Sequence, residues 1–352
     1  MDKRSTILRN VSVNEDGGST EERLVSRDIV EVVFTDQSAP SGVEVQDVSQ
    51  AQDGGVVAWE DGDTMYISTQ RPGVMVTAPE NCSFLFCDAF SLESINAEKF
   101  ATNHVTDMSG MFMGCERLAD INSFSNWHTG EVENMSWMFA FCNALTNVAP
   151  LYDWNVWHVE NMEAMFKDCV NLTNIFDLSS WHTSSLNHLT LMFSGCHRLS
   201  DICPLCDWDV FNVVEMDGMF ADCQSLRSLE ALEKWNTCHV QAMNMMFSGC
   251  TSLRDIAALG NWNTSAVQTT KQMFYHCNSI ANVSSLSHWS LRNMREMQEM
   301  FSGCGMLGGV DELLKWPIMQ GSYTRINTRD IFKECFHLSP VVTPEEWDNL
   351  SF

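Results

Sequence analysis

The chain has 352 residues, of which 45% are apolar, enough for a sizeable core and too many for wholesale disorder. Its 46 acidic residues outnumber 20 basic ones, for a net charge of −26. A surface of that sign repels phosphate backbones and anionic lipid, which argues against nucleic-acid and membrane-surface roles.

In chain order, residues 1–27 are polar and rich in Gly, Ser and Glu, and are expected to form a flexible N-terminal segment. The opening octet has no apolar run long enough for a signal peptide, and no stretch of the chain reaches the roughly 18–20 apolar residues of a membrane span. Residues 28–80 hold strand-like runs at Ile29–Phe34, Val56–Trp59, Met65–Ile67 and Val74–Val76. Asp53-Gly54-Gly55 and Asp61-Gly62-Asp63 separate them, which predicts hairpins in a β-rich N-terminal cap. Residues 81–110 read as a degenerate first coil, with Leu85-Phe86, Ala89 and Phe100 in the places of the later Met-Phe, Cys and Trp.

From there the chain repeats. Cys115, Cys142, Cys169, Cys196, Cys223, Cys250, Cys277 and Cys304 are each 27 residues apart, as are eight tryptophans from Trp127 to Trp316 and the Met-Phe pairs from Met111-Phe112 to Met300-Phe301. The unit is C-x2-L-x2-[IV]-x2-L-x2-W-x4-V-x2-M-x2-MF-x2-C. A period of 27 falls within that of leucine-rich repeats, and such a unit buries its apolar residues only by stacking on its neighbours. The expected fold is therefore a leucine-rich-repeat solenoid, with regular coils over residues 111–316. The β-branched slot of Ile121 and Val148 predicts short parallel strands on one side. The M-x2-MF-x2-C stretch predicts helical or 3-10 turns on the other. At about 4.8 Å per coil, eight coils make a stack roughly 40 Å long. An irregular C-terminal cap over 317–340 follows, where the next Phe-x2-Cys (Phe332 to Cys335) arrives 31 residues after Cys304, and then a tail, 341–352.

The repeated Trp-x-Thr motif (Trp127-His128-Thr129, Trp262-Asn263-Thr264), the Met-x2-Met-Phe-x2-Cys stretches and the run Val105–Phe112 resemble the BspA-like leucine-rich-repeat surface proteins. Those are bacterial proteins, met also in some parasitic protists. The lead-in, Val56-Val57-Ala58-Trp59 with Met65-Tyr66-Ile67 and Ala78–Ser83, is similar to theirs, so the likeness covers about residues 28–340. It implies adhesion to a host, matrix or cell-surface protein, at the cell surface or after secretion, without catalysis. It transfers no binding residues, because the shared motif is the core pattern.

No nucleophile elbow, P-loop or H-E-x-x-H motif is present, and neither a catalytic residue, a cofactor nor a metal is assigned. The ladder cysteines are expected to be reduced and buried. Cys203-Pro204-Leu205-Cys206 has redox or zinc spacing, but no second such pair exists and Leu205 belongs to the core ladder, so it is taken as structural. His128 and His182 share a slot with Asp209, Asn236 and Asn263, which suits turn capping and not ligation.

The candidate binding residues are large aromatics in slots where other coils are small or polar. Trp137 shares its slot with Gly110, Ala164, Gly218, Gln272 and Glu299, and Trp157 and Phe211 share theirs with Gly130, Ser184 and Ser265. Tyr152 and Phe176 also sit in polar-tolerant slots. Such aromatics are typical anchors of protein interfaces. The expected function is a non-enzymatic, adhesin-like protein-binding module, with a structural or self-associating scaffold as the alternative.

Overall fold

The computed structural model describes residues 4–9, 24–316 and 326–338. The N-terminal part is a five-stranded sheet in the order β2-β3-β4-β1-β6, built from β1 (Glu31–Thr35), β2 (Gln46–Asp47), β3 (Val57–Asp61), β4 (Thr64–Ser68) and β6 (Ser94–Asn96). A smaller parallel pair joins β5 (Val76–Thr77) to β7 (Phe100–Ala101). Both turn segments join antiparallel neighbours: β3 to β4 in a hairpin across Asp61-Gly62-Asp63, and β2 to β3 across the longer connection that contains Asp53-Gly54-Gly55. What is corrected is the place of the first run, Ile29–Phe34, which joins no hairpin: β1 runs parallel to both β4 and β6. Through β6 the sheet reaches into the degenerate coil, so it does not end at residue 80.

The N-terminal segment also departs from expectation. Over residues 4–9 it is tied into the cap, where the Leu8 N–H donates to Thr77 O (2.9 Å) and the Arg9 N–H to Val48 O (2.8 Å). Leu8 is completely buried. The physical reason is that Ile7-Leu8 offers apolar area in an otherwise polar stretch. Most of 10–27, part of the expected C-terminal cap (317–325 and 339–340) and the whole tail lie outside the described residues.

From residue 81 the chain winds in coils whose equivalent positions hydrogen-bond to one another. Single parallel bridges link Asp107, Asn134, Asn161, His188, Glu215, Ala242, Thr269, Glu296 and Asn327 in one continuous column. A second, broken column includes Asn147 with Asn174 and Ser228 with Asp255. Residues 326–338 form one more coil, in which Ile331 O accepts from the Phe301 N–H (2.9 Å).

Two assignments of local structure change places. The β-branched slot does not form a strand: Ile121, Ile175 and Ile256 sit at φ near −120° with ψ of 16–20° and lead directly into 3-10 turns, such as Asn122–Asn126 and Phe176–Ser180. The cause lies one residue earlier. Asp120, Asn174 and Asp201 accept the N–H two residues on through Oδ1, at 2.8–3.0 Å, which bends the chain away after a single bridged residue.

The M-x2-MF-x2-C stretch is in turn neither helix nor 3-10. Alternate N–H groups leave the coil: Met108, Gly110, Phe112 and Gly114 donate to Asn134, Ser136, Met138 and Ala140, while Met111, Met113 and Cys115 bond three residues back. A helix would keep every N–H inside the segment. The alternation requires a left-handed residue every fourth position, seen at Trp137 and Phe141 and again at Ala164 and Asp168.

The core is a set of ladders running along the stack. Rings from Phe86 to Phe332 lie nearly parallel at centroid distances of 5.4–5.7 Å. Each Trp indole from Trp154 to Trp316 donates to the carbonyl thirty residues before it, as in Trp208 Nε1 to Leu178 O at 3.1 Å. Each ladder Cys thiol from Cys115 to Cys335 likewise donates to the Phe carbonyl of the preceding coil, as in Cys196 Sγ to Phe166 O at 3.1 Å. The Thr of Trp-x-Thr is buried and crosses the other way: Thr183 Oγ1 donates to Asp209 O and accepts the Asp209 N–H. From Trp154 onward the polar groups of the motif have partners in a neighbouring coil, which offsets the cost of placing them in a core, whereas Trp127 Nε1 in the first regular coil is buried without one.

Candidate functional site

Burial sorts the five candidate aromatics. Phe176 is 65% exposed, Trp157 57%, Tyr152 49% and Phe211 43%. Trp137 is half-buried and belongs to a different stretch, the left-handed turn before Met138-Phe139.

Its case is a correction with a clear cause. In that slot the side chain of one coil lies over the Cα of the next. A Cβ on Gly110 would fall 2.3 Å from the Phe84 ring, and one on Gly218 would fall 2.6 Å from Leu191 Cδ2. The same step from Trp137 leads to Ala164, which is completely buried. Gly and Ala in this slot mark where a neighbour's side chain rests, not an open surface. The Lys167 ammonium, 5.8 Å above the Trp137 ring and paired with Asp168 at 2.8 Å, covers more of it.

Trp157 and Phe211 are presented by one device used twice. Asn155 Oδ1 accepts the Trp157 N–H (3.1 Å) and Asp209 Oδ1 accepts the Phe211 N–H (3.0 Å), each closing an Asx turn just after a ladder tryptophan. The residue between, Val156 or Val210, is buried and anchors the turn. The aromatic that follows is turned outward. In the intervening coil Ser184 takes this place, so the two rings stand two coil spacings apart, about 10 Å, across a notch.

Histidines pack against both rings, His182 from the intervening coil and His239 from the coil beyond Phe211, and spacing alone did not single them out. The His182 ring meets Trp157 edge-on at 5.3 Å, and His239 meets Phe211 at 4.5 Å. His239 Nδ1 lies 2.8 Å from Phe211 O, and His158 Nδ1 lies 2.7 Å from Gly130 O, which fixes both imidazoles against the turns. A His in the slot after tryptophan looked like a turn cap; at His182 its ring contact is with the aromatic of the preceding coil.

Tyr152 and Phe176 lie elsewhere on the coil, at the end of the 3-10 turn Ala149–Leu151 and at the start of Phe176–Ser180. They are outward-facing neighbours on successive coils, tied where Ser180 Oγ donates to Tyr152 O (2.5 Å). The exposed candidates thus fall into two sets by their place on the coil, Trp157 with Phe211 and Tyr152 with Phe176, and Trp137 belongs to neither. An open polar groove of about 800 Å³, lined by Pro79, Glu80, Ser83, Thr106 and Asp107 among others, lies beside the cap. No group of three or more His, Cys, Asp or Glu placed to hold a metal occurs among the described residues. Nor is any helix there long and apolar enough to cross a membrane.

A family model described as "Mycoplasma protein of unknown function, DUF285" matches residues 80–204 and again 200–309, together more than half of the chain. The chain belongs to the DUF285 family. The DUF285 matches contain the exposed aromatics and their histidines, and start where the coils start, after β5. The solved structure of a leucine rich cell surface protein from Faecalibacterium prausnitzii A2-165 aligns over 79% of this chain and 86% of that one, at 14% identity and a TM-score of 0.29. No curated protein matches.

Thiol accessibility in this DUF285 chain follows from burial. None of the fourteen cysteines is in a disulfide, and eleven of them are buried. Burial pushes the ladder thiols far up from their usual range, Cys335 to about 12. With neutral, enclosed thiols, alkylation of the native protein is expected to label only Cys203, Cys206 and Cys238, and the other eleven only after unfolding. Intact-mass measurement before and after denaturant, without reductant, checks this. Fast native labelling of ladder cysteines would show that the coils open locally.

Proposed function

We propose that this DUF285 chain is a leucine-rich-repeat solenoid acting as a non-enzymatic, adhesin-like binding module at a cell surface or after secretion. Its partner is a host, matrix or cell-surface protein. The observation that carries the reading is the notch between Trp157 and Phe211: two large rings held out by Asx turns in a slot that elsewhere holds Gly130, Ser184, Cys238, Ser265 or Arg292, so packing demands no aromatic there. Rigid aromatics flanked by polar groups give contact area at small entropic cost. Tyr152 and Phe176 extend the apolar area on the neighbouring stretch of the same coils. The resemblance to BspA-like proteins supplies the class of partner.

The test is a screen against matrix and host surface proteins using the parent and a Trp157→Ser, Phe211→Ser double variant. The variant is expected to unfold at the parent's midpoint and to lose at least about tenfold in affinity, as loss of two interface anchors does. Association of a basic partner is expected to slow as salt is raised, because a net charge of −26 steers it. Unchanged affinity would remove the notch from the binding surface. The alternative, a self-associating scaffold, draws on Met306 and Phe336, which are 54% and 81% exposed on the last two described coils. Sedimentation that shows concentration-dependent oligomers, with no ligand captured in the screen, would favour it.

A further inference from the structure

Cys203 and Cys206 stand apart from the other thiols. They open and close the turn Cys203–Leu205 of the fourth regular coil, with the Cys206 N–H donating to Cys203 O at 3.1 Å. Pro204, buried, sets the first inner position of the turn, and Leu205 points into the core ladder. Cys203 is exposed and Cys206 half-buried. Residues i and i+3 eclipse on a 3-10 turn. Their Cα atoms lie within about 7 Å in such a turn, and a disulfide spans Cα distances of about 4.4–6.8 Å. Leu205 packs inward and Cys203 is exposed, while the half-buried Cys206 rests against the edge of the core, so the pair offers one open and one partly covered thiol on the same turn.

The geometry points to Cys203–Cys206 as a dithiol site that reacts with low-molecular-weight disulfides. The exposed Cys203 thiolate attacks one sulfur of the disulfide RSSR, forming a mixed disulfide and releasing RS⁻. Cys206, deprotonated by solvent, then attacks Cys203 Sγ, closing the intramolecular bond and releasing the second RS⁻. The released thiolates take up the two protons lost by the cysteines, so RSSR is reduced to two RSH while the pair is oxidised. The surroundings set the kind of disulfide: Asp201 hydrogen-bonds Cys203, and Glu230 lies close by on the next coil. Those carboxylates favour a cationic reagent over an anionic one. They also hold the Cys203 thiol above its usual range, so the rate should climb about tenfold per pH unit below the thiol's pKa.

This inference stands apart from the binding reading, since the reaction needs no partner protein. Full-length native protein is treated with cystamine, quenched in acid, and mapped by peptide mass. The expected product is the 203–206 peptide lighter by two hydrogens, with Cys238, which has no cysteine three residues away, carrying only a simple adduct. Cys206→Ser is expected to stop at a stable cysteamine adduct on Cys203. With the neutral reagent 2-hydroxyethyl disulfide, Asp201→Asn, which keeps the Oδ1 acceptor for the Cys203 N–H, is expected to speed the reaction at neutral pH. Far-ultraviolet ellipticity confirms that each variant keeps its coils. A parent that accumulates adducts on both Cys203 and Cys206, or that reacts at this pair only when unfolded, overturns the assignment. So does a folded Cys206→Ser variant without an adduct.

Discussion

Replacing Trp208 with alanine is expected to destabilise the protein by about 3–5 kcal/mol, the usual loss for a large aromatic removed from a core. The ring is buried, stacks on Trp181 at 6.1 Å and 13°, and donates from Nε1 to Leu178 O. That carbonyl also accepts the Trp181 N–H, so it retains one partner, and most of the loss is the cavity. Trp208 lies mid-stack and supports coils on both sides, where a nearest-neighbour stack is most sensitive. A paired substitution separates packing from hydrogen bonding. Trp208→Phe keeps a large ring and gives up the indole bond, whereas Trp127 Nε1 is buried without a partner. Trp208→Phe is therefore expected to cost about 1 kcal/mol more than Trp127→Phe. Urea unfolding of the variants measures both differences. A Trp208→Ala variant as stable as the parent would refute the inward ladder.

Gly110→Val is expected to cost about 2–5 kcal/mol for two separable reasons. At φ +58° a β-branched residue is strained by about 1–2 kcal/mol. Its Cβ would also fall 2.3 Å from the Phe84 ring of the preceding coil, an overpacking of about 1–3 kcal/mol. The double-mutant cycle with Phe84→Ala isolates the second part. In that background the penalty of Gly110→Val should shrink to the backbone strain alone. An unchanged penalty would mean that Phe84 moves aside freely, and that the large-over-small alternation along this column is not a packing rule.

How much was legible from the sequence depended on whether a position is periodic. Residues that recur in every coil, such as Cys196, Trp208 and Phe220, announce their burial, because only a shared core selects the same apolar type at each turn. The turn-capping chemistry of the slot that holds Asp209, Asn236 and Asn263 was readable too, since those side chains act on backbone two residues away. Trp157 and Phe211 are exposed, as their slot-mates Gly130 and Ser184 suggested.

What the sequence by itself determined, then, was the repeating unit, the identity of the core ladders and the outward aromatics at the turn after tryptophan. Three features needed the tertiary structure. Local conformation in Met-x2-Met-Phe-x2-Cys looked helical from its spacing, but its alternate N–H groups bond to the next coil, and partners 26 residues away leave no mark in a short window. Trp137 looked like a surface anchor because Gly110 and Ala164 share its slot; yet those small residues are small because the preceding coil's side chain lies on them. The pairing of His182 with Trp157 and of His239 with Phe211 arises between successive coils, at separations of 25 and 28 residues. A repeat's period shows which residues face inward, whereas contacts between non-identical positions of adjacent coils depend on the stagger of the stack, which only the folded backbone sets.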